Sequence, residues 1–188
     1  MKREFDTEVK LYTLCILVEN TPGMLSQVAR LFSRKGYNIE SIVTGATDKP
    51  GLTRISIQIM GDELMIDQIA AQCRKLLPVK VVKILDEENC IRREIALIKV
   101  RAADHDTRAE IIQLVDIFHG KVMDVSRDAL TIWVFGNHSK ISALVNMLEG
   151  FGILEIAKTG TLAIERGSNT IYDNNKLREE YDYGKHVL

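Results

Sequence analysis

The sequence is poor in what most catalytic and nucleic-acid-binding classes require. It has only three cysteines, Cys15, Cys73 and Cys90, widely spaced and without a CxxC pair. Such usage argues against a disulfide framework or a cysteine metal site and fits reduced thiols in a cytoplasmic protein. An excess of one charge is missing too: 25 Lys and Arg stand against 26 Asp and Glu, a formal net charge of −1. That balance argues against nucleic-acid binding, and no acidic block marks a disordered segment. No apolar run reaches the roughly 18 residues of a membrane span. The opening Met1–Asp6 mixes charges and lacks the apolar stretch of a secretory signal. A cytoplasmic location without membrane association is therefore expected.

Groups that do chemistry are equally sparse. The four histidines, His105, His119, His138 and His186, are scattered, with no HxxxH spacing to hold a metal. Neither GxGxxG nor GxxxxGK[ST] occurs, so neither phosphate cradle is supported. Asp104, Asp106 and Asp116 read as the solvated side of one helix. No catalytic, cofactor-binding or metal-ligating set is expected on this chain.

What is present is an ordinary globular composition, 46% hydrophobic and 27% charged, in 188 residues. Leu11–Val18 is apolar on both faces, as a central strand is. A helix follows from Pro22 to about Lys35, with the stripe Leu25, Val28, Ala29 and Phe32. Asn38–Thr47 alternates poorly, as an edge or bulged strand does. After the turn Asp48–Gly51, Thr53–Ile59 alternates cleanly and puts Arg54, Ser56 and Gln58 on a face that water can cover. A helix over Asp62–Leu77 and a strand over Val79–Leu85 complete the half. The second half repeats the order: strand Ile95–Val100, helix Thr107–His119, strands Lys121–Ser126 and Leu130–Phe135, helix Ser139–Gly150, and one or two strands in Leu154–Ile164.

Both halves thus read β-α-β-β-α-β, and the fold class is α+β with two consecutive ferredoxin-like domains. The expected boundaries are 9–86 and 91–167, with a polar tail over 168–188. RNA-recognition modules share this order but expose aromatics on the third strand, where this chain has Thr53-Arg54-Ile55-Ser56-Ile57. Trp133 and Phe135 read as core or interface residues. The second strand lies on the sheet edge in this topology, and pairing with the same edge of another copy is the natural way to cover it.

The stretch VENTPGMLS, Val18–Ser26, joins the first strand to the first helix. Thr21 suits the N-cap and Pro22 the first helical position. Gly23 and Met24 then present free main-chain amides, which attract a carboxylate or phosphate. Asn20 adds a side-chain amide that both donates and accepts, a combination suited to an amino acid. The same residues equally make good helix-start chemistry, and the turn alone does not separate the two readings. In the second half the corresponding Arg101–Asp106 has no glycine and carries acidic side chains, so no such site is expected there.

The segments LVENTPGMLSQVARLFSRKGYNIESI, GLTRISIQIMGD, RREIALIKV and ILEIAKTGTLAIERG occur in that order between Leu11 and Gly167. They resemble the small, regulatory subunits of acetolactate synthase (acetohydroxyacid synthase), and ENTPGMLS and GYNIES are the specific parts. The resemblance implies an N-terminal ACT domain, an amino-acid-binding module that works at dimer interfaces, and a related C-terminal domain. It implies a homodimer that does no chemistry and binds the large catalytic subunit, where thiamine diphosphate, magnesium and FAD reside. Activation of that subunit and feedback inhibition by valine, or by leucine or isoleucine, are implied as well, within branched-chain amino acid biosynthesis. Effector contacts map to Asn20, Gly23, Met24 and Leu25 of one chain and to Asn38 and Ile39 of the other, with Ser26 supporting the turn. Met24 stands where a smaller residue can occur, which leaves side-chain preference open. The rival readings are a stand-alone ACT-type sensor or co-regulator, for which no DNA-reading helix pair is visible, and a small ferredoxin-like enzyme, for which no acid, base or metal set is visible.

Overall fold

A computed structural model describes residues 8–173. By packing, the described residues divide into two compact units: one made of those up to Ile91 together with the segment Ala163–Asp173, the other of Arg92–Leu162.

In the first unit β1 (Lys10–Glu19), α1 (Met24–Lys35), β2 (Ser41–Ala46), β3 (Leu52–Gly61), α2 (Glu63–Cys73) and β4 (Val79–Leu85) follow one another. The sheet order is β2-β3-β1-β4, all antiparallel, so β2 is an edge strand. Period-2 alternation sorts the side chains. Leu14, Ile16 and Val18 of β1 and Ile55, Ile57 and Ile59 of β3 turn towards the helices, where they meet Val28 and Phe32 of α1 and Ile66 and Ile69 of α2. Register pairs Ile16 with Ile55 and Leu14 with Ile57, so the strands deliver these side chains in matched layers.

The second unit repeats the design. It contains β5 (Cys90–Arg101) from Arg92 onward, α3 (His105–Ile117), β6 (Lys121–Val125), β7 (Ala129–Gly136), α4 (His138–Glu149) and β8 (Ile153–Lys158), and β9 (Leu162–Glu165) follows. The sheet order is β6-β7-β5-β8, with β9 paired to β5. Its core takes Ala96, Ile98, Val100, Ile132 and Val134 from the strands and Ile111, Val115, Ile141 and Leu144 from the helices. Among the described residues, no helix is long and apolar enough to cross a membrane.

Several expectations change on this structure. First, α1 buries Met24, Val28, Leu31 and Phe32, while Leu25 is 42% exposed and Ala29 is also exposed. The buried stripe keeps Val28 and Phe32 but takes Met24 and Leu31 in place of Leu25 and Ala29, and the helix starts two residues later than Pro22. Second, the face of β3 carrying Arg54, Ser56 and Gln58 is not left to water: Ser56 is 2% and Gln58 8% exposed. The segment from Ala163 lies over that side, its Ala163 and Ile171 clustering with Cys15, Leu17, Leu52 and Val81. Third, β2 begins at Ser41 rather than Asn38. The polar tail expected from Ser168 is described only to Asp173, and there Ile171 is 5% exposed, a core residue in a polar setting; positions 174–188 lie outside the described residues.

Candidate functional site

The turn between β1 and α1 is built differently from a side-chain cap. Thr21, Pro22, Gly23 and Met24 form a type II turn closed by the Met24 N–H donating to the Thr21 carbonyl at 3.2 Å. Gly23, at the third position, has φ 79° and ψ 0°, the left-handed conformation that this turn demands there. A Cβ at Gly23 would meet nothing within 4 Å, so the constraint is conformational rather than spatial. The Thr21 side chain does not cap the helix, contrary to expectation: Gly23 is the residue flanking α1, and no side chain bonds the helix start.

The other helices differ. Asp62 accepts from the Met65 N–H at 2.7 Å, Asp104 from the Thr107 N–H at 2.9 Å, and Asn137 from the Lys140 N–H at 3.0 Å. At α1, among the described residues, no acceptor reaches the main-chain N–H of Gly23, Leu25 or Ser26. No acidic residue sits in its first turn. Unbonded amides at a helix start, undiluted by a carboxylate, make a positive end that suits an anion.

The residues that carry these amides line a crevice of about 440 Å³. Asn20, Thr21, Gly23, Met24, Leu25 and Ser26 form one side of it. The opposite wall is Thr44, Gly45 and Ala46 of β2 with Thr53 of β3. The crevice falls within the roughly 300–1,000 Å³ usual for small-molecule sites. Asn20 is exposed, and its main-chain N–H donates to the Gly51 carbonyl at 2.8 Å, which holds the turn against the β2–β3 hairpin. Met24 contributes main chain here, because its side chain is 6% exposed and belongs to the core. Leu25 is the exposed apolar side chain of the set.

Asn38 and Ile39 are not part of this crevice within one chain. Asn38 is exposed and its side-chain amide donates to the Glu40 carboxylate at 2.7 Å, while Ile39 packs against the first core. Thr44, Gly45, Ala46 and Thr53 are the wall residues that sequence reasoning missed. Their only local signal is the run of small residues that spoils the alternation of β2.

In the second unit the matching helix start is already filled. The Asp104 carboxylate accepts from the Thr107 N–H and, at 2.7 Å, from the Thr107 hydroxyl. Those bonds hold its pKa below the ordinary 3.8. Among the described residues, no group of three or more His, Cys, Asp or Glu side chains is placed to bind a metal ion.

With this geometry in place, likeness to known proteins assigns the family. The model for the AHAS small subunit-like ACT domain matches residues 14–80, and that for the small subunit of acetolactate synthase matches residues 93–167. The probable acetolactate synthase small subunit of Methanothermobacter thermautotrophicus is 42% identical over 166 residues, covering 88% of this chain and 99% of that protein. The acetolactate synthase small subunit of Mycobacterium leprae is 43% identical over 162 residues, 85% of this chain and 94% of that one. The crystal structure of the acetolactate synthase small subunit from Thermotoga maritima aligns with a TM-score of 0.80 at 42% identity, over 85% of this chain and 99% of its own length. Two domain matches in series and near-complete coverage of these relatives make the conclusion direct: the chain belongs to the family of acetolactate synthase small subunits.

Proposed function

We propose that this chain is a non-catalytic regulatory subunit that binds valine, or a close branched-chain relative, in the α1 crevice and conveys its occupancy to the large catalytic subunit of acetolactate synthase. The observation that carries this reading is the set of unbonded main-chain amides on Gly23, Leu25 and Ser26, three residues that line a crevice together with Asn20, and the absence of an acid from the helix's first turn. An amino acid's carboxylate matches those amides, and its aliphatic side chain matches Leu25. Two copies paired along β2 would bring Asn38 and Ile39 of the second to the same ligand. Thiamine diphosphate, magnesium and FAD then belong to the catalytic subunit, and the pair works in the cytoplasm.

The energies suit a sensor of a metabolite pool. Charge-assisted hydrogen bonds net about 1.5–3 kcal/mol each. Burying a small aliphatic side chain adds about 1.5–3 kcal/mol. Association costs at least ~4 kcal/mol. The surplus corresponds to a Kd of about micromolar to sub-millimolar. Because a ligand touching two chains stabilises their association, valine binding and assembly are linked, and catalytic-subunit binding must alter valine affinity in return.

Calorimetry of the full chain with valine, leucine and isoleucine in turn tests the site, and acetolactate formation by the large subunit tests the role. Saturable binding of at least one, with activity raised by this chain and lowered again by the same amino acid, is the expected result. Absence of binding to all three overturns the reading, as does acetolactate formation by this chain alone.

A further inference from the structure

The wall of the crevice is not held by its own sheet alone. The β2–β3 turn is closed by the Thr47 N–H donating to the Leu52 carbonyl at 3.1 Å and by the Thr47 hydroxyl accepting from the Lys49 N–H at 3.1 Å. Gly51 of this turn receives the Asn20 N–H at 2.8 Å. Asp48, on the same turn, accepts from the Tyr172 hydroxyl at 3.2 Å. One short turn therefore touches the effector side through Gly51 and the returning C-terminal segment through Asp48.

That segment is fixed to the sheet independently of the turn. Ile171 is 5% exposed in the cluster with Cys15, Leu17 and Val81. The Arg54 guanidinium donates to the Ala163 carbonyl at 2.6 Å, and the Lys83 ammonium donates to the Thr170 carbonyl at 3.0 Å and pairs with the Glu165 carboxylate. Between segment and hairpin lies a cavity of about 290 Å³, whose walls include Thr47, Asp48, Ile164 and Tyr172. Ala46 lines both this cavity and the effector crevice. Close packing is thus incomplete where segment and hairpin meet, and the Tyr172–Asp48 bond is a polar tie across the gap.

We propose that Ala163–Asp173 is a strap that sets the position of the β2–β3 hairpin and, through it, the affinity of the effector crevice, with Tyr172 and Asp48 as positioning residues. For the affinity, this deepens the effector reading above and rests on it; the hold on the hairpin stands on the contacts alone. Neither residue touches the crevice, so the effect passes through Ala46 and the Gly51–Asn20 bond.

Two readouts on the full chain test it, amide hydrogen exchange without ligand and valine calorimetry. In Tyr172→Phe the ring stays and the tie is lost. The Asn20 and Leu52 amides should exchange faster, and valine affinity should fall about three- to tenfold, the worth of one such bond. The thermal midpoint should fall by only a few degrees, as the loss of one hydrogen bond does. Asp48→Ala should do the same, the double variant should add nothing to either single one, and Asp48→Asn, which keeps an acceptor oxygen, should restore both readouts. Unchanged exchange at Asn20 and Leu52 in Tyr172→Phe overturns the strap. Changed exchange with unchanged valine affinity overturns its control of the crevice and leaves the effector reading standing. Changed exchange in a chain that binds none of the three amino acids refutes the effector reading and retains the strap's hold on the hairpin.

Discussion

Asn20 gives its main-chain N–H to the carbonyl of Gly51 at 2.8 Å, joining the turn after β1 to the turn between β2 and β3. The helix-start amides and the β2 wall are thereby set at a defined separation, which would lower the ordering cost of binding the proposed effector. Preorganisation of this kind makes the site sensitive to backbone conformation at Gly23.

Gly23→Ala should destabilise the chain by about 1–2 kcal/mol, since an L-residue is forced into the left-handed region. Gly23→Asp should destabilise it less, because aspartate enters that region more readily, yet weaken valine binding at least about tenfold by placing a carboxylate beside the ligand's own. Urea midpoints and calorimetry on the two variants separate these effects. Normal valine binding by Gly23→Asp would show that the anion site is elsewhere.

Asn38 is exposed, bonded to Glu40 and outside the crevice of its own chain. If a second copy brings it to the ligand, Asn38→Ala should leave folding stability within about 0.5 kcal/mol of wild type, as surface changes do. Its valine affinity should drop by about three- to tenfold, one hydrogen bond's worth. Thermal denaturation and calorimetry give the two numbers. Unaltered affinity would remove Asn38 from the site.

Alkaline stability should report on Tyr172. Burial, with the nearby Asp48 carboxylate adding to it, raises the phenol's pKa above the ordinary 10.0. The fold therefore favours the neutral phenol. The stability it confers is complete below pH 10.0 and is lost as pH rises through the raised pKa. Tyr172→Phe should flatten that loss in urea midpoints measured between neutral pH and pH 11.

The thiols should be silent in the native chain. Cys15 and Cys73 are 0% exposed and Cys90 is 5% exposed. Burial pushes the Cys73 pKa up to about 11 against the opposing charge of Arg74, which leaves almost no thiolate at pH 8. An aromatic disulfide reagent at pH 8 should label none of the three rapidly in buffer and all three in denaturant. Fast native labelling of Cys73 would contradict its burial.

The order of elements was readable from sequence because each strand and helix carries its own period, and Ile55, Ile57 and Ile59 announce a buried face without reference to anything distant. What escaped was non-local or subtle in conformation. Arg54, Ser56 and Gln58 have the polarity of a wet face, and nothing near them in sequence tells of Ala163 and Ile171 arriving more than a hundred positions later. Thr21 has the chemistry of a cap, but Pro22-Gly23 closes a turn of its own and delays the helix to Met24; Leu25, read as a core position, lines the crevice instead. The β2 wall was invisible because Thr44 and Gly45 meet the α1 turn across the fold, where periodicity carries no information.

The Asp104 carboxylate lying on the start of α3 fixes an arithmetic limit. This polypeptide is a tandem of like designs, and the later copy carries its own stopper where the earlier one keeps an open socket. Titration to saturation should accordingly end at one guest molecule for each polypeptide, however many copies assemble.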